Sequence, residues 1–315
     1  MQQLSDIQAA AARLQPHIRR TPLLPLTNVR EPVTEAALFL KLECLQVTGS
    51  FKARGATNRL LTTPAEALRN GIVTASGGNH GLATARAAAI AGVASHIFVP
   101  ANVARAKLHA LAGWGATVRI VGSVWDESAA AARAFAGDTG AAFFHPFADP
   151  AVVAGQGTVA LEILEDLPDL STLLVAIGGG GLISGIAIAI KALKPSVRLI
   201  GIEAEGSPTL LESLRAGEVV TLPQVTTQVA TMACGRTDPA IFEIVRNSVE
   251  QIVLVGDQEM QEGAAWLWRE AGLGVDLSGA AAVSALRSGK VTLRPGEVAC
   301  ALACGSGASG IPLAT

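Results

Sequence analysis

Lys52 stands in the stretch QVTGSFKARGATNRL at 46–60, in an otherwise uncharged turn that leads into a helix-forming segment. Enclosure by Phe51 and small residues would disfavour the charged ammonium, lower its pKa and make the amine a nucleophile toward an aldehyde. Arg54 and Arg59, on the same segment, read as helix-surface or packing residues. A second element is the run Gly178, Gly179, Gly180 and Gly181, which follows an apolar stretch and opens a helical one. Bare amides at such a strand-to-helix turn can cradle a phosphate, and tight packing is the competing use of the same glycines. The spacing is not GxGxxG with an acidic residue downstream, so a group with one phosphate fits better than a dinucleotide. The third element is SGGNHG from Ser76 to Gly81. Its amides suit an anion such as a carboxylate, Asn79 can donate an oriented hydrogen bond, and His80 could be a base, a ligand or a satisfied structural histidine. Spacing favours the last, since no second histidine or carboxylate lies at a metal-ligand interval from it.

These elements must be held by something regular. Apolar runs bounded by Gly or Pro recur at 71–76, 95–100, 116–122, 171–179 and 197–203, and EVACALAC at 297–304 adds another near the chain end. Between them, Ala-rich segments at 81–91, 126–136, 157–165 and 182–193 carry helical periodicity, and 257–271 does so after Asp257 as the cap. Strands alternating with helices predict a doubly wound α/β architecture with a parallel sheet. Both glycine-rich elements then fall on strand-to-helix turns.

The 315 residues, half of them hydrophobic, suffice for one large or two fused α/β domains. A balance of 24 Lys and Arg against 26 Asp and Glu, without a basic run, argues against nucleic-acid or polybasic membrane binding and favours a small-molecule partner. The N-terminus lacks the basic and apolar regions of a secretory signal, and no apolar stretch reaches membrane-spanning length, so a soluble cytoplasmic protein is expected. Cys44, Cys234, Cys300 and Cys304 form no CxxC unit and read mostly as buried small apolar groups.

In this order and spacing the elements resemble the fold-type II pyridoxal-phosphate (PLP) enzymes, specifically the threonine/serine dehydratase and serine racemase group. The resemblance extends from RTPLL around Thr21 and Pro22 through KLE at 41–43, TGSFKARGA at 48–56, SGGNHG, HPFADPAVVAGQGTVALEIL at 145–164 and GGGGLISG at 178–185 to LSGAAAV at 277–283. It implies a tryptophan-synthase-β-like fold of two doubly wound parallel-sheet domains with the cofactor between them. Residues 1–47 and 148–315 would form the large PLP-binding domain, and 48–147 a small domain inserted in it. It further implies that Lys52 carries the cofactor as a Schiff base, Phe51 flanks the pyridine ring and Asn79 bonds the ring's 3′ oxygen. Gly178 to Gly181 with Leu182 would hold the phosphate, and amides of Ser76, Gly77, Asn79 and His80 the substrate carboxylate. Cys304 in LACGSG would be the neutral partner of the pyridine nitrogen. The family also implies a homodimer.

ARG at 53–55 is similar to dehydratases and racemases rather than to the synthases, so elimination is expected: loss of the β-hydroxyl and then of ammonia from a threonine- or serine-like amino acid. Serine racemases carry a second serine where this chain has Gly77, and a hydrogen side chain cannot exchange a proton, which disfavours racemisation. A non-catalytic PLP-binding protein is the other alternative. Relatives often place a divalent cation on an acidic residue matching Glu203 and a second acidic position, here Thr209; no metal is expected, and Glu203 is the one weak candidate. The biosynthetic relatives' C-terminal regulatory domain is not expected after this core. Asp276 with Leu277, MACGRT at 232–237 and Gly305 to Gly307 depart from the threonine-specific pattern. They leave room for another hydroxy-amino acid, including one handled by hydroxyectoine-utilisation dehydratases.

Overall fold

Each apolar run becomes a strand in the computed structural model, which describes residues 2–312. The strands are β1 (Leu23–Pro25), β2 (Ala37–Lys41), β3 (Ile72–Ala75), β4 (Ser95–Val99), β5 (Thr117–Ile120), β6 (Ala142–Phe143), β7 (Thr172–Ala176), β8 (Arg198–Ala204), β9 (Gln251–Val255) and β10 (Val298–Leu302). They form two sheets. One runs β1-β2-β10-β7-β8-β9 and the other β5-β4-β3-β6. Every pairing is parallel except β1 with β2. Buried on both faces, β7 reads TLLVA and β3 reads IVTA, the continuous β-branched pattern of strands covered on two sides.

The helices are α1 (Leu4–Leu14), α2 (Lys52–Thr62), α3 (Asn79–Ala91), α4 (Arg105–Gly113), α5 (Trp125–Thr139), α6 (Pro150–Asp166), α7 (Gly181–Leu193), α8 (Thr209–Ala216), α9 (Pro239–Ser248), α10 (Asp257–Ala271) and α11 (Leu277–Arg287). Aspartates start several of them: Asp149 accepts from Ala151 N and Val152 N ahead of Pro150, and Asp238 accepts from Ala240 N ahead of Pro239. The expected cap at Asp257 shifts by one residue. Gly256 occupies the cap position, and the Asp257 carboxylate instead accepts from Thr227 Oγ1 and Gln228 N. None of the described helices is long and apolar enough to cross a membrane.

The second sheet, built from residues 72–143, lies wholly inside the segment 48–147. Helix α2 packs against both α6, beside the larger sheet, and α3, beside the smaller. Its crossing with α6 is close because both helices carry glycine there. A Cβ on Gly155 would lie 2.7 Å from Arg54 O and 2.8 Å from Gly55 Cα.

Candidate active site

The three chemical elements converge where strands end. β3 leads through Ser76–Gly78 into α3, β7 leads through Gly178–Gly180 into α7, and β10 leads to Cys304. Open parallel sheets bind ligands outside these carboxyl ends. Lys52 is delivered by a turn bonded to the segment that leaves β10. Phe51 N donates to Cys304 O (3.2 Å), Ser306 N to Gly49 O (2.7 Å) and Cys44 N to Ala303 O (2.7 Å). Within that turn Thr48 has φ of 60°, a left-handed conformation that a β-branched residue adopts only under constraint. The hydroxyls of Thr48 and Ser50 are buried there without a partner.

Lys52 is the first residue of α2, and its Nζ donates to Pro146 O at 2.8 Å and lies 5.2 Å from the Phe51 ring centroid. Burial lowers its pKa to about 8, against a smaller opposing influence of Cys304 and Cys234. Roughly a tenth of the amine is thus unprotonated at pH 7, far more than for an ordinary lysine. Next to Pro146, Phe147 carries the connection to the glycine run, since a Cβ on Gly179 would sit 2.2 Å from the Phe147 ring and one on Gly181 2.8 Å from Phe147 O. Thr237 Oγ1 bonds Gly179 O at 3.1 Å and secures the far side. Ser184 N is the first amide of α7 to reach back, to Gly180 O, so the amides of Gly181 and Leu182 have no intrahelical acceptor. At each of the four glycines a Cβ would run into packed neighbours, so this turn keeps bare backbone.

On the smaller sheet's side, Leu82 N reaches Gly78 O, leaving the amides of Asn79 and His80 at the open start of α3. The His80 ring is buried, with Nε2 3.1 Å from Phe144 O, and burial, aided by Lys52, lowers its pKa to about 3. It is a neutral structural histidine, as its spacing favoured. A Cβ on Gly77 would meet Val103 Cγ2 at 2.7 Å, so Val103 fills the space ahead of that residue. Cys304 is buried, its Sγ 3.6 Å from Ser278 Oγ, and burial raises its pKa well above the ordinary thiol range. It presents a neutral group.

Of the two roles read for Arg54, helix surface or packing, the structure selects the second: the side chain is fully buried. Its guanidinium donates to both Glu43 oxygens (2.7 Å each), to both Glu162 oxygens (2.7 and 3.0 Å) and to Thr158 Oγ1 (3.1 Å). Thr21 Oγ1 completes Glu43 at 2.6 Å, and buried Lys41 pairs with Glu162 at 2.7 Å. Burial alone would raise the Glu43 pKa, but Arg54 holds it below the ordinary range. Arg59 ion-pairs with Asp149 at 2.7 Å. Thr21, Lys41, Glu43 and Glu162 thus clamp the helix that begins with Lys52, which the local sequence around Arg54 does not reveal.

Glu203 ends in a similar structural role. Its two oxygens accept from Leu210 N (2.8 Å) and Leu211 N (2.9 Å) at the start of α8, and Thr209 Oγ1 bonds Cys234 O. Burial outweighs those two amides and raises the Glu203 pKa to about 7. No group of three potential metal ligands occurs among the described residues. Asp276, noted in the sequence as a departure from the threonine-specific pattern, has its carboxylate beside Asn79, a contact the sequence did not predict, with Asn79 Nδ2 donating to Oδ2 at 3.0 Å. The available signal was the Asp-Leu-Ser-Gly start of a helix at 276–279.

An enclosed, partly deprotonated lysine, a glycine cradle at a helix start and a neutral thiol at a strand end fit an aldehyde cofactor that carries one phosphate. Comparison with known proteins agrees. Over 300 residues, 95% of this chain and 74% of the relative, the sequence is 40% identical to the L-threonine ammonia-lyase of Geobacter sulfurreducens. The structure of maize serine racemase superposes with a TM-score of 0.92 at 30% identity, covering 96% of this chain and 93% of that one. The processed form of threonine deaminase isoform 2 from Solanum lycopersicum superposes with a TM-score of 0.90 at 28% identity, covering 96% of this chain and 83% of that one. With residues 14–305 matching the family described as pyridoxal-phosphate dependent enzyme, this chain belongs to that family and has the fold-type II architecture.

Proposed function

We propose that the chain is an ammonia-lyase that converts a threonine- or serine-like β-hydroxy amino acid into a 2-oxo acid and ammonia. The observation that carries this reading is the pairing of one available base, Lys52, with a glycine at position 77 whose forward space is taken by Val103. The names of the threonine ammonia-lyase and threonine deaminase relatives support it.

Bound PLP supplies an electron sink for the charge left at the substrate's α-carbon and is held by Lys52 before substrate arrives. The amides of Gly178 to Gly181 and Leu182 would bind its phosphate, Phe51 would lie against its ring, Asn79 would contact its 3′ oxygen and Cys304 its ring nitrogen. The amides of Ser76, Gly77, Asn79 and His80 would orient the substrate carboxylate. With its Nζ free when substrate is bound, Lys52 would be the base that takes the α-proton: the C–H bond breaks and an N–H bond forms at Nζ. The proton that Lys52 took would pass to the departing β-hydroxyl, which leaves as water, and the unsaturated amine, after tautomerising, is hydrolysed by one water to the 2-oxo acid and ammonia. His80 stays neutral throughout and positions its own amide. We place this site in a cleft between the unit 48–147 and the remainder, in a cytoplasmic homodimer.

Racemisation is the second reading, favoured by the likeness to maize serine racemase. It needs a proton-exchanging group opposite Lys52, and Gly77 with Val103 supplies none. A screen of hydroxy-amino acids that follows 2-oxo acid, ammonia and the chirality of remaining substrate separates the readings. Release of 2-oxo acid with equimolar ammonia supports the lyase. Enantiomer interconversion without 2-oxo acid overturns it, and no turnover across the panel leaves a PLP-binding protein.

A further inference from the structure

Two chains of donors end on one carboxylate at the back of the site. Asn79 Nδ2 donates to Asp276 Oδ2 at 3.0 Å. Ser278 Oγ donates to Asp276 Oδ1 at 2.7 Å, and Cys304 Sγ lies behind it, 3.6 Å from Ser278 Oγ. Asp276 is itself fixed, since Oδ1 also accepts Gly279 N (2.7 Å) as the cap of α11 and its own N donates to Gly305 O (3.0 Å). The space around the contact is closed: a Cβ on Gly305 would sit 2.6 Å from Asp276 Oδ2 and 2.9 Å from Asn79 Nδ2.

We propose that Asp276 is a positioning residue that fixes which edge of the Asn79 amide faces the cofactor, and that Asn79, Asp276, Ser278 and Cys304 act as one hydrogen-bonded unit. An amide presents an acceptor on one edge and two donors on the other, and nothing in its shape selects between them. A carboxylate only accepts, so Asp276 forces the Asn79 NH2 toward itself. One hydrogen goes to Oδ2 and the second is left for an oxygen in the site; with the amide reversed, its own oxygen would repel that group. Cys304 Sγ, 3.6 Å from Ser278 Oγ, extends the chain from Asp276 to the strand end of β10. This rests on the assignment of Asn79 and Cys304 to the two ends of the cofactor ring.

The test uses the cofactor-loaded enzyme and Asp276→Ser. Serine keeps an N-cap acceptor for Gly279 N and removes the oxygen that orients Asn79. Visible absorption against pH is recorded for wild type, Asp276→Ser, Asn79→Ala and the double variant, with PLP dissociation constants and apo-protein melting alongside. The expected result is an altered pH dependence of the absorption in both single variants, with PLP affinity about tenfold weaker, the worth of one charge-assisted hydrogen bond. The double variant should be no worse than Asn79→Ala, because the two residues act through one contact. A spectrum and affinity changed by Asn79→Ala but untouched by Asp276→Ser, even with a lowered melting temperature, overturn the proposal and leave the site assignment standing. An unchanged Asn79→Ala spectrum overturns the assignment itself. If Asp276→Ser does not fold, Ser278→Ala carries the test, with an altered spectrum expected and a wild-type one contradicting the unit.

Discussion

Replacing Arg54 by Met should destabilise the protein severely, because the guanidinium is wholly engaged by Glu43, Glu162 and Thr158. Methionine roughly fills the hydrocarbon volume but leaves Glu43, fully buried, with only Thr21 Oγ1 as a direct donor. Glu162 keeps Lys41. Removing one partner of a buried ion pair costs about 3–5 kcal/mol, because the remaining charge has neither water nor a counter-ion. At 2–4 °C per kcal/mol for chains somewhat smaller than this one, the melting temperature should fall by roughly 6–20 °C. Differential scanning calorimetry of the apo protein reads that change. Neutralising the stranded partner as well, in Arg54→Met with Glu43→Gln, should restore more than half of the loss. A fall of under about 2 °C in the single variant, or a double variant less stable than the single, would refute the view that the network clamps the helix carrying Lys52.

Gly179→Ala should weaken PLP binding measured by equilibrium dialysis, since its Cβ would lie 2.2 Å from the Phe147 ring and displacing that ring costs about 1–3 kcal/mol; unchanged affinity would count against the cradle. Glu203, with its folded pKa raised to about 7 from 4.5, contributes stability that is complete below pH 4.5 and is lost as pH rises through 7. That amounts to about 3 kcal/mol, so urea titrations should show Glu203→Gln losing this part of the pH dependence, and identical pH profiles would refute the assignment. Gly77→Ser should not create racemisation, because Val103 stands 2.7 Å from where the new Cβ must go. Chiral chromatography of residual substrate checks this, and rapid enantiomer exchange would contradict it.

The strands were legible because runs such as TLLVA and IVTA can only be buried on both faces, and the glycine run was legible because it joins such a strand to an alanine-rich helix. Lys52 could be singled out from an uncharged neighbourhood, and His80 from its lack of ligand partners. The ion-pair network around Arg54 was not legible, for the same local reason. Glu43 is 11 residues away and Glu162 is 108, so nothing adjacent in sequence shows that the guanidinium is buried and fully paired. The Asn79 contact to Asp276 spans 197 residues and depends on the absence of a Cβ at Gly305. The cap read at Asp257 went instead to Gly256 because Thr227 and Gln228 claim the Asp257 carboxylate.

The most direct test of the central claim is to reduce the PLP-loaded enzyme with borohydride, digest it and locate the pyridoxyl group by mass spectrometry, with 2-oxo acid release measured on the unreduced enzyme. The expected result is a single modified peptide carrying the group on Lys52, and loss of both label and turnover in Lys52→Ala. A pyridoxyl group on any other lysine, or a Lys52→Ala protein that still releases 2-oxo acid at the wild-type rate, would contradict it.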